Sequence, residues 1–173
     1  MEKWIKYIFP KYKEKSVNYK NCFRVKVANQ QAEMKQVDIE KIKDYVNEYL
    51  NALNVSHDFI IVNLKENPIK RGFYTDIKNN NNLSDKGDIV WFKFTKDGYL
   101  GVVASSNDIN FSYKNTSGKI LKFLEKEWDD TKVVIIPLKF KDNTLNRQMV
   151  ESGIGNYLIS KDVPILDYFS HNL

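Results

Sequence analysis

Across residues 38–53 the apolar positions Ile39, Ile42, Val46, Tyr49, Leu50 and Leu53 fall on one stripe at helical spacing. Asp38 is suited to cap the start of that helix, and Glu40 to its electropositive first turn. The pattern changes over residues 58–64, where Phe59-Ile60-Ile61-Val62 is apolar on both faces and predicts a strand in the interior of a sheet. Two further apolar runs, 89–95 and 99–105, flank Lys96-Asp97-Gly98-Tyr99. They predict a β-hairpin closed by a type I′ turn at Asp97-Gly98. Counting outward from that turn sets Phe94 opposite Gly101 and Phe92 opposite Val103. A hairpin apolar on both faces belongs at the centre of its sheet.

Weaker patterns complete the chain. Trp4, Tyr7 and Ile8 share a helical face, so residues 2–9 read as a short helix stopped by Pro10. Residues 11–21 read as a polar linker, and 22–28 alternate as a half-buried strand. Residues 65–87 form a long polar loop, with a short strand near 72–78. Helices are expected at 117–128 and 143–160. An interior strand at 133–138 is expected to end at Pro137, and a last short strand to lie at 163–166. The order predicts an α+β fold: a single domain over 1–173 with a mixed β-sheet of about five to six strands, the hairpin (89–105) at its centre, and three to four packed helices. Residues 1–20 stand out within it as a basic, aromatic N-terminal segment.

Composition supports a packed core, with 42% apolar residues and 23 aromatic rings in 173 residues. The longest aliphatic run, residues 133–136, is too short to span a bilayer. Glu2 and the closely spaced lysines break any secretory-signal pattern. The lone Cys22 excludes an internal disulfide and fits a reducing compartment, so the cytoplasm is the expected location.

Charge changes the picture only through its distribution. The net charge is +5, but 24 of the 27 basic residues are Lys, alongside 19 Asn and 16 Ile. AT-rich codons produce that combination, which points to a low-GC bacterium or its phage and says nothing of mechanism. The scarcity of Arg argues against dense base reading. A codon bias would spread evenly, however, and this charge does not. Residues 1–28 hold eight bases (Lys3, Lys6, Lys11, Lys13, Lys15, Lys20, Arg24, Lys26) against Glu2 and Glu14, while the rest of the chain holds 19 bases and 20 acids.

This segment supplies the candidate site. Lys3, Lys6, Lys11, Lys13 and Lys15 can lie along phosphates, while Trp4, Tyr7, Tyr12 or Tyr19 can stack on exposed bases at about 1–3 kcal/mol per ring. The structural alternative is an amphipathic helix that docks Trp4 and Ile8 on the body with its lysines solvated. The two are compatible. An acidic protein or an anionic membrane surface would also suit a cationic face.

Other constellations are less specific. The (Asp/Glu)-x-Lys triplet of metal-dependent nucleases occurs three times (Glu33, Asp76 and Asp130), about the number that chance predicts from this composition. Asp76-Ile77-Lys78 has the best setting, with Asp58 and Glu48 as possible companions for Mg²⁺. His57 and His171 form an acid–base pair only if the fold joins them. One Cys and two distant His make no standard zinc set. Gly153 and Gly155, each costing about 1 kcal/mol in a helix, indicate close packing or a ligand. With no phosphate-loop lysine, packing is the better explanation. Residues 105–108 form a polar strand exit. No catalytic residue, metal or cofactor is assigned.

Three function classes remain. The first is a non-catalytic binding protein, of the accessory kind found in bacteria and their mobile elements, whose N-terminus engages nucleic acid or a nucleic-acid-containing complex. The second is a small metal-dependent nuclease or hydrolase using Asp58, Asp76 and Lys78. The third is an inhibitor or immunity-type module that meets an acidic protein partner. The first uses the one non-random feature of the chain.

Overall fold

A twelve-residue strand, Trp128–Lys139, organises the sheet. The computed structural model describes residues 2–5, 7, 14–19, 23–28, 35–63, 78–83, 87–107 and 128–165. Its elements run α1 (Glu2–Ile5), β1 (Glu14–Tyr19), β2 (Phe23–Ala28), α2 (Ile39–Ala52), β3 (Ser56–His57), β4 (Ile60–Asn63), a single helical turn α3 (78–80), β5 (Ile89–Thr95), β6 (Leu100–Ser106), β7 (Trp128–Lys139) and α4 (Arg147–Ser160). β3 and β4 lie end to end along one side of β7, β5 pairs with its other side, and β6 lies outside β5. Every ladder is antiparallel. Of the strand expected at 163–166, residues 163–165 are described and contribute a parallel bridge, Leu100 to Ile165, which makes the sheet mixed. The fold is α+β, as its patterning predicts.

The core forms where α2 and α4 cover one face of this sheet. Ile42, Val46, Tyr49 and Leu50 from α2 and Val150, Ile154, Tyr157 and Leu158 from α4 pack with Val90, Phe92, Phe94, Val134 and Ile136. Each such side chain contributes about 1.5–3 kcal/mol on full burial. The alternate residues Ile89, Trp91, Val133 and Ile135 are equally buried, so β5 is covered on both faces and occupies the central position expected of it.

α2 confirms its stripe and its cap, with Asp38 Oδ1 accepting from Glu40 N at 3.0 Å. Its C-terminus closes on Asn54 at φ 57°, with Asn54 N bonding Asn51 O and Val55 N bonding Leu50 O, both at 3.0 Å. α4 begins at Arg147, later than the expected 143, because the Asn146 side chain caps it by accepting from Met149 N at 2.9 Å. Asp162, at φ 60°, ends it in the same manner as Asn54 ends α2.

Several expectations are corrected. The linker assigned to 11–21 contains β1, which pairs with β2 through Val17↔Val25 and Tyr19↔Phe23. Its sparse apolar residues hid it, since a two-stranded ribbon needs only its backbone partners. The run at 58–64 is not an interior strand. Among the described strands β4 pairs with β7 alone, its burial alternates, and Ile61 remains 38% exposed.

The hairpin turn is not type I′, because only Gly98 (φ 80°) has positive φ. Gly98 N bonds Thr95 O and Thr95 N bonds Tyr99 O, both at 2.9 Å, so the loop is the three-residue kind with a glycine bulge. Phe94 therefore faces Leu100, not Gly101. A second irregularity at Gly101 restores the expected Phe92↔Val103 pair.

Trp128 opens β7 and does not end a helix, and the remainder of that helix, 117–127, lies outside the described residues. Pro137 does not end β7. Its neighbour Leu138 N donates to Asp88 O at 2.8 Å on the β5 side, while Pro137 O accepts from Asp58 N at 3.4 Å on the other. The missing N–H thus falls at the gap between β3 and β4, where no ladder bond is lost. The helix expected at 2–9 is helical over Glu2–Ile5, and residues 8–10 lie outside the described set. Of the strand expected near 72–78, only Lys78 is described, and it is helical.

Candidate functional site

Two aromatic rings of the N-terminal segment fit the crevice between α2 and α4. Trp4 lies 5.3 Å from Tyr157 and 6.2 Å from Tyr49 between ring centroids. Tyr7 lies 5.0 Å and 5.9 Å from the same two rings. All four contacts are edge-on, the favourable arrangement for aromatic pairs, and Tyr49 and Tyr157 stack on one another at 5.1 Å.

The crevice also holds the backbone of the segment. The Tyr49 hydroxyl donates to Trp4 O at 3.3 Å, and the fully buried Asn156 donates through Nδ2 to Tyr7 O at 2.6 Å. Trp4 O, which also accepts from Tyr7 N at 3.2 Å within the segment, and Tyr7 O in the turn after α1 thus each find a donor on the body. Burial, reinforced by the nearby Tyr7, pushes the Tyr49 pKa well above its ordinary value, so the phenol stays neutral and remains a donor. Burial also raises that of Tyr157, with the Glu48 carboxylate adding to the effect.

Gly153 makes room for this arrangement. A methyl group there would overlap the Tyr49 hydroxyl and stand 2.9 Å from Cζ and 3.0 Å from Cε1. Close packing, and not a ligand, accounts for this glycine. At the rim, Lys161 Nζ sits 5.1 Å from the Tyr157 ring and 5.4 Å from that of Tyr45, and it pairs with Glu48 at 3.7 Å. Lys3 is exposed, with its Nζ 5.2 Å from the Trp4 ring.

The predicted site residues are placed as follows. Trp4 and Tyr7 are half-buried in the ring cluster, and Lys3 is exposed beside it. Lys15 stands in β1, paired with Val27. Lys6, Lys11, Tyr12 and Lys13 lie outside the described residues. Of the nuclease set, Asp58 is exposed where β3 meets β4, Lys78 lies in α3, and Asp76 is outside the described residues. Glu48 is engaged with Lys161 in the crevice. Among the described residues no group of three or more His, Cys, Asp or Glu could hold a metal ion.

His57 has both ring nitrogens occupied, Nδ1 2.9 Å from Val55 O and Nε2 3.0 Å from Asn47 Oδ1, which fits a positioning role at the end of α2. His171 lies outside the described residues. At the polar exit of β6 the Ser105 hydroxyl donates to the Glu151 carboxylate.

Sequence patterning anticipates the docking of Trp4 but pairs it with Ile8, which lies outside the described residues, and not with Tyr7, and it gives no receptor. Tyr49 reads as one more core position, and Asn156, beside Gly153 and Gly155, reads as a hydrogen-bonding partner for a closely approaching ligand or backbone, without indicating that the backbone is that of Tyr7. Also unforeseen is an open cleft of about 640 Å³ between the end of β7 and the start of α4, lined by Lys139, Lys141, Asp142 and Asn146 among others. Two of its acids are engaged locally: Asp88 pairs with Arg147 at 3.2 Å, and hydrogen bonds from Thr144 hold the Asp142 pKa low. No helix among the described residues is long and apolar enough to cross a membrane. Comparison with family models, curated proteins and solved structures finds no match to this chain.

Proposed function

We propose that this chain is a non-catalytic nucleic-acid-binding protein whose cationic N-terminal segment contacts the phosphate backbone. The observation that carries this reading is the excess of eight bases over two acids within residues 1–28, in a segment anchored to the body at Trp4 and Tyr7. The rings serve as the anchor and the lysines as the contact. A polyanion is the ligand class that such a concentration of charge selects, and displacement of its counterions supplies the binding free energy.

The test is binding of fluorescent single- and double-stranded DNA and RNA across a salt series. The intact chain is compared with a folded variant carrying Lys→Gln at positions 3, 6, 11, 13 and 15. Each lysine on a duplex phosphate contributes about 0.9 to the slope of log affinity against log salt, so the variant should lose up to about 4.5 of that slope. An unchanged slope, or no binding by the intact protein at low salt, would overturn the reading.

A further inference from the structure

The open cleft between the end of β7 and the start of α4 measures about 640 Å³, within the roughly 300–1,000 Å³ of small-molecule sites. None of its lining residues belongs to the ring cluster that holds α1. Three features of its wall select a class of ligand.

The first is unspent positive charge. Lys139 and Lys141 are exposed in the wall, and neither has an ion-pair partner among the described residues. The acids beside them are committed elsewhere. Asp88 pairs with Arg147 at 3.2 Å, and Asp142 Oδ1 accepts from Thr144 N at 2.9 Å and from Thr144 Oγ1 at 2.5 Å. Counting Arg147, three cations stand against two acids. α4 adds no acid in its first turn, so the positive end of its dipole reinforces the lysines.

The second feature is apolar. Phe140 and Leu145 are half-buried, and both also line an adjoining cavity of about 120 Å³. They form a partition with space on each side, which gives the Phe140 ring room to settle against another planar ring. The third is hydrogen-bonding capacity. Asn146 Oδ1 is used by Met149 N, which leaves its amino group, and the whole carboxamide of Asn143, to meet a ligand.

We propose that this cleft binds a free nucleoside monophosphate, its phosphate on Lys139 and Lys141 and its base against Phe140 and Leu145. An inorganic anion would leave the apolar partition bare, and an uncharged ring would leave the lysines unpaired. A phosphate and a planar ring in one small molecule satisfy both. The site is independent of the N-terminal segment and stands whether or not that segment binds nucleic acid.

The test is titration of the isotopically labelled full chain with the four ribonucleoside 5′-monophosphates, read by calorimetry and by amide NMR shifts. At least one should bind, move the amides of residues 139–146, and weaken as salt rises. Lys139→Gln and Lys141→Gln should each weaken it about 3- to 10-fold. Phe140→Leu keeps an apolar side chain but removes the flat ring, so it should weaken the nucleotide and leave affinity for inorganic phosphate unchanged. The variant with Lys→Gln at positions 3, 6, 11, 13 and 15 should bind the nucleotide as the wild type does. Circular dichroism of each variant establishes that it is folded.

The inference fails if no monophosphate binds at low salt, or if the shifted amides lie outside residues 139–146. It fails equally if inorganic phosphate or the unphosphorylated nucleoside binds as well as the nucleotide, since half of the site would then be idle. Tighter binding of a 5′-phosphorylated oligonucleotide in the same cleft would overturn the assignment to a free nucleotide in favour of a strand end.

Discussion

Replacing Gly153 with Ala sets two effects of opposite sign against each other. Within a helix the exchange removes backbone entropy from the unfolded chain and should stabilise by about 1 kcal/mol. Here the added methyl overlaps the hydroxyl of Tyr49 and stands 2.9 Å and 3.0 Å from two of its ring carbons. That ring is fully buried, stacked on Tyr157, and bonded to the backbone of Trp4, so it has no free direction in which to retreat. Overpacking of this kind costs about 1–3 kcal/mol, and displacing the hydroxyl forfeits a bond worth about 0.5–1.5 kcal/mol. The net expectation is a destabilisation of about 1–3 kcal/mol, or a melting temperature lower by about 2–4 °C for each kcal/mol in a chain of this length. Denaturant and thermal unfolding measure it. In a Tyr49→Phe background the worst overlap is gone, so the same substitution should cost less, and the double-mutant cycle reports the difference. A Gly153→Ala protein as stable as the wild type would refute the packing explanation and reopen the case for a ligand at this glycine.

Asn156→Ala leaves the Tyr7 carbonyl without its buried donor; the loss should be about 1–3 kcal/mol, with earlier proteolytic cleavage within residues 1–20. Tyr49 has a folded-state pKa raised above its ordinary 10.0, so its contribution is fully present below pH 10 and is lost as pH rises, because the unfolded chain ionises first. Stability measured against pH should fall above that value, and Tyr49→Phe should flatten the fall by up to about 1.4 kcal/mol per pH unit. Gly98→Ala forces a side chain into φ 80° beside Gln36 and should cost roughly 1–2 kcal/mol in denaturant unfolding, whereas Gly98→Asn should cost less.

What was legible in the sequence depended on whether a residue's neighbours in the chain determine its environment. The stripe of α2 and its Asp38 cap are local, and both are found where the spacing places them. The hairpin is local in existence but not in detail: Asp97-Gly98 announces a turn, while the loop length depends on how Thr95 pairs with Tyr99. β1 and β4 show the limit from opposite sides. β1 has few apolar residues and is a strand because β2 is its partner, and β4 is strongly apolar yet, among the described strands, has β7 on one side and none on the other. Pairing is a property of two segments, and a single run does not contain it. The same holds for the crevice, where the significance of Tyr49 and Asn156 depends on a backbone about 45 and 149 residues away.

The anchoring of α1 also resolves an apparent conflict in the first residues of the chain. A segment that must pack cannot usually be dense in lysine, since buried ammonium groups are costly. Here the body grips α1 and the turn after it through two rings and two main-chain carbonyls, those of Trp4 and Tyr7. Carbonyls are available whatever side chain a residue bears, so polar recognition of the backbone places no demand on the intervening positions. Lys3 stays exposed within the docked segment for this reason. Fixing the segment in advance removes part of the ordering cost that a free cationic tail meets on binding. Among the described residues the arrangement is complete at Lys3, which stays exposed beside the Trp4 ring that anchors its helix.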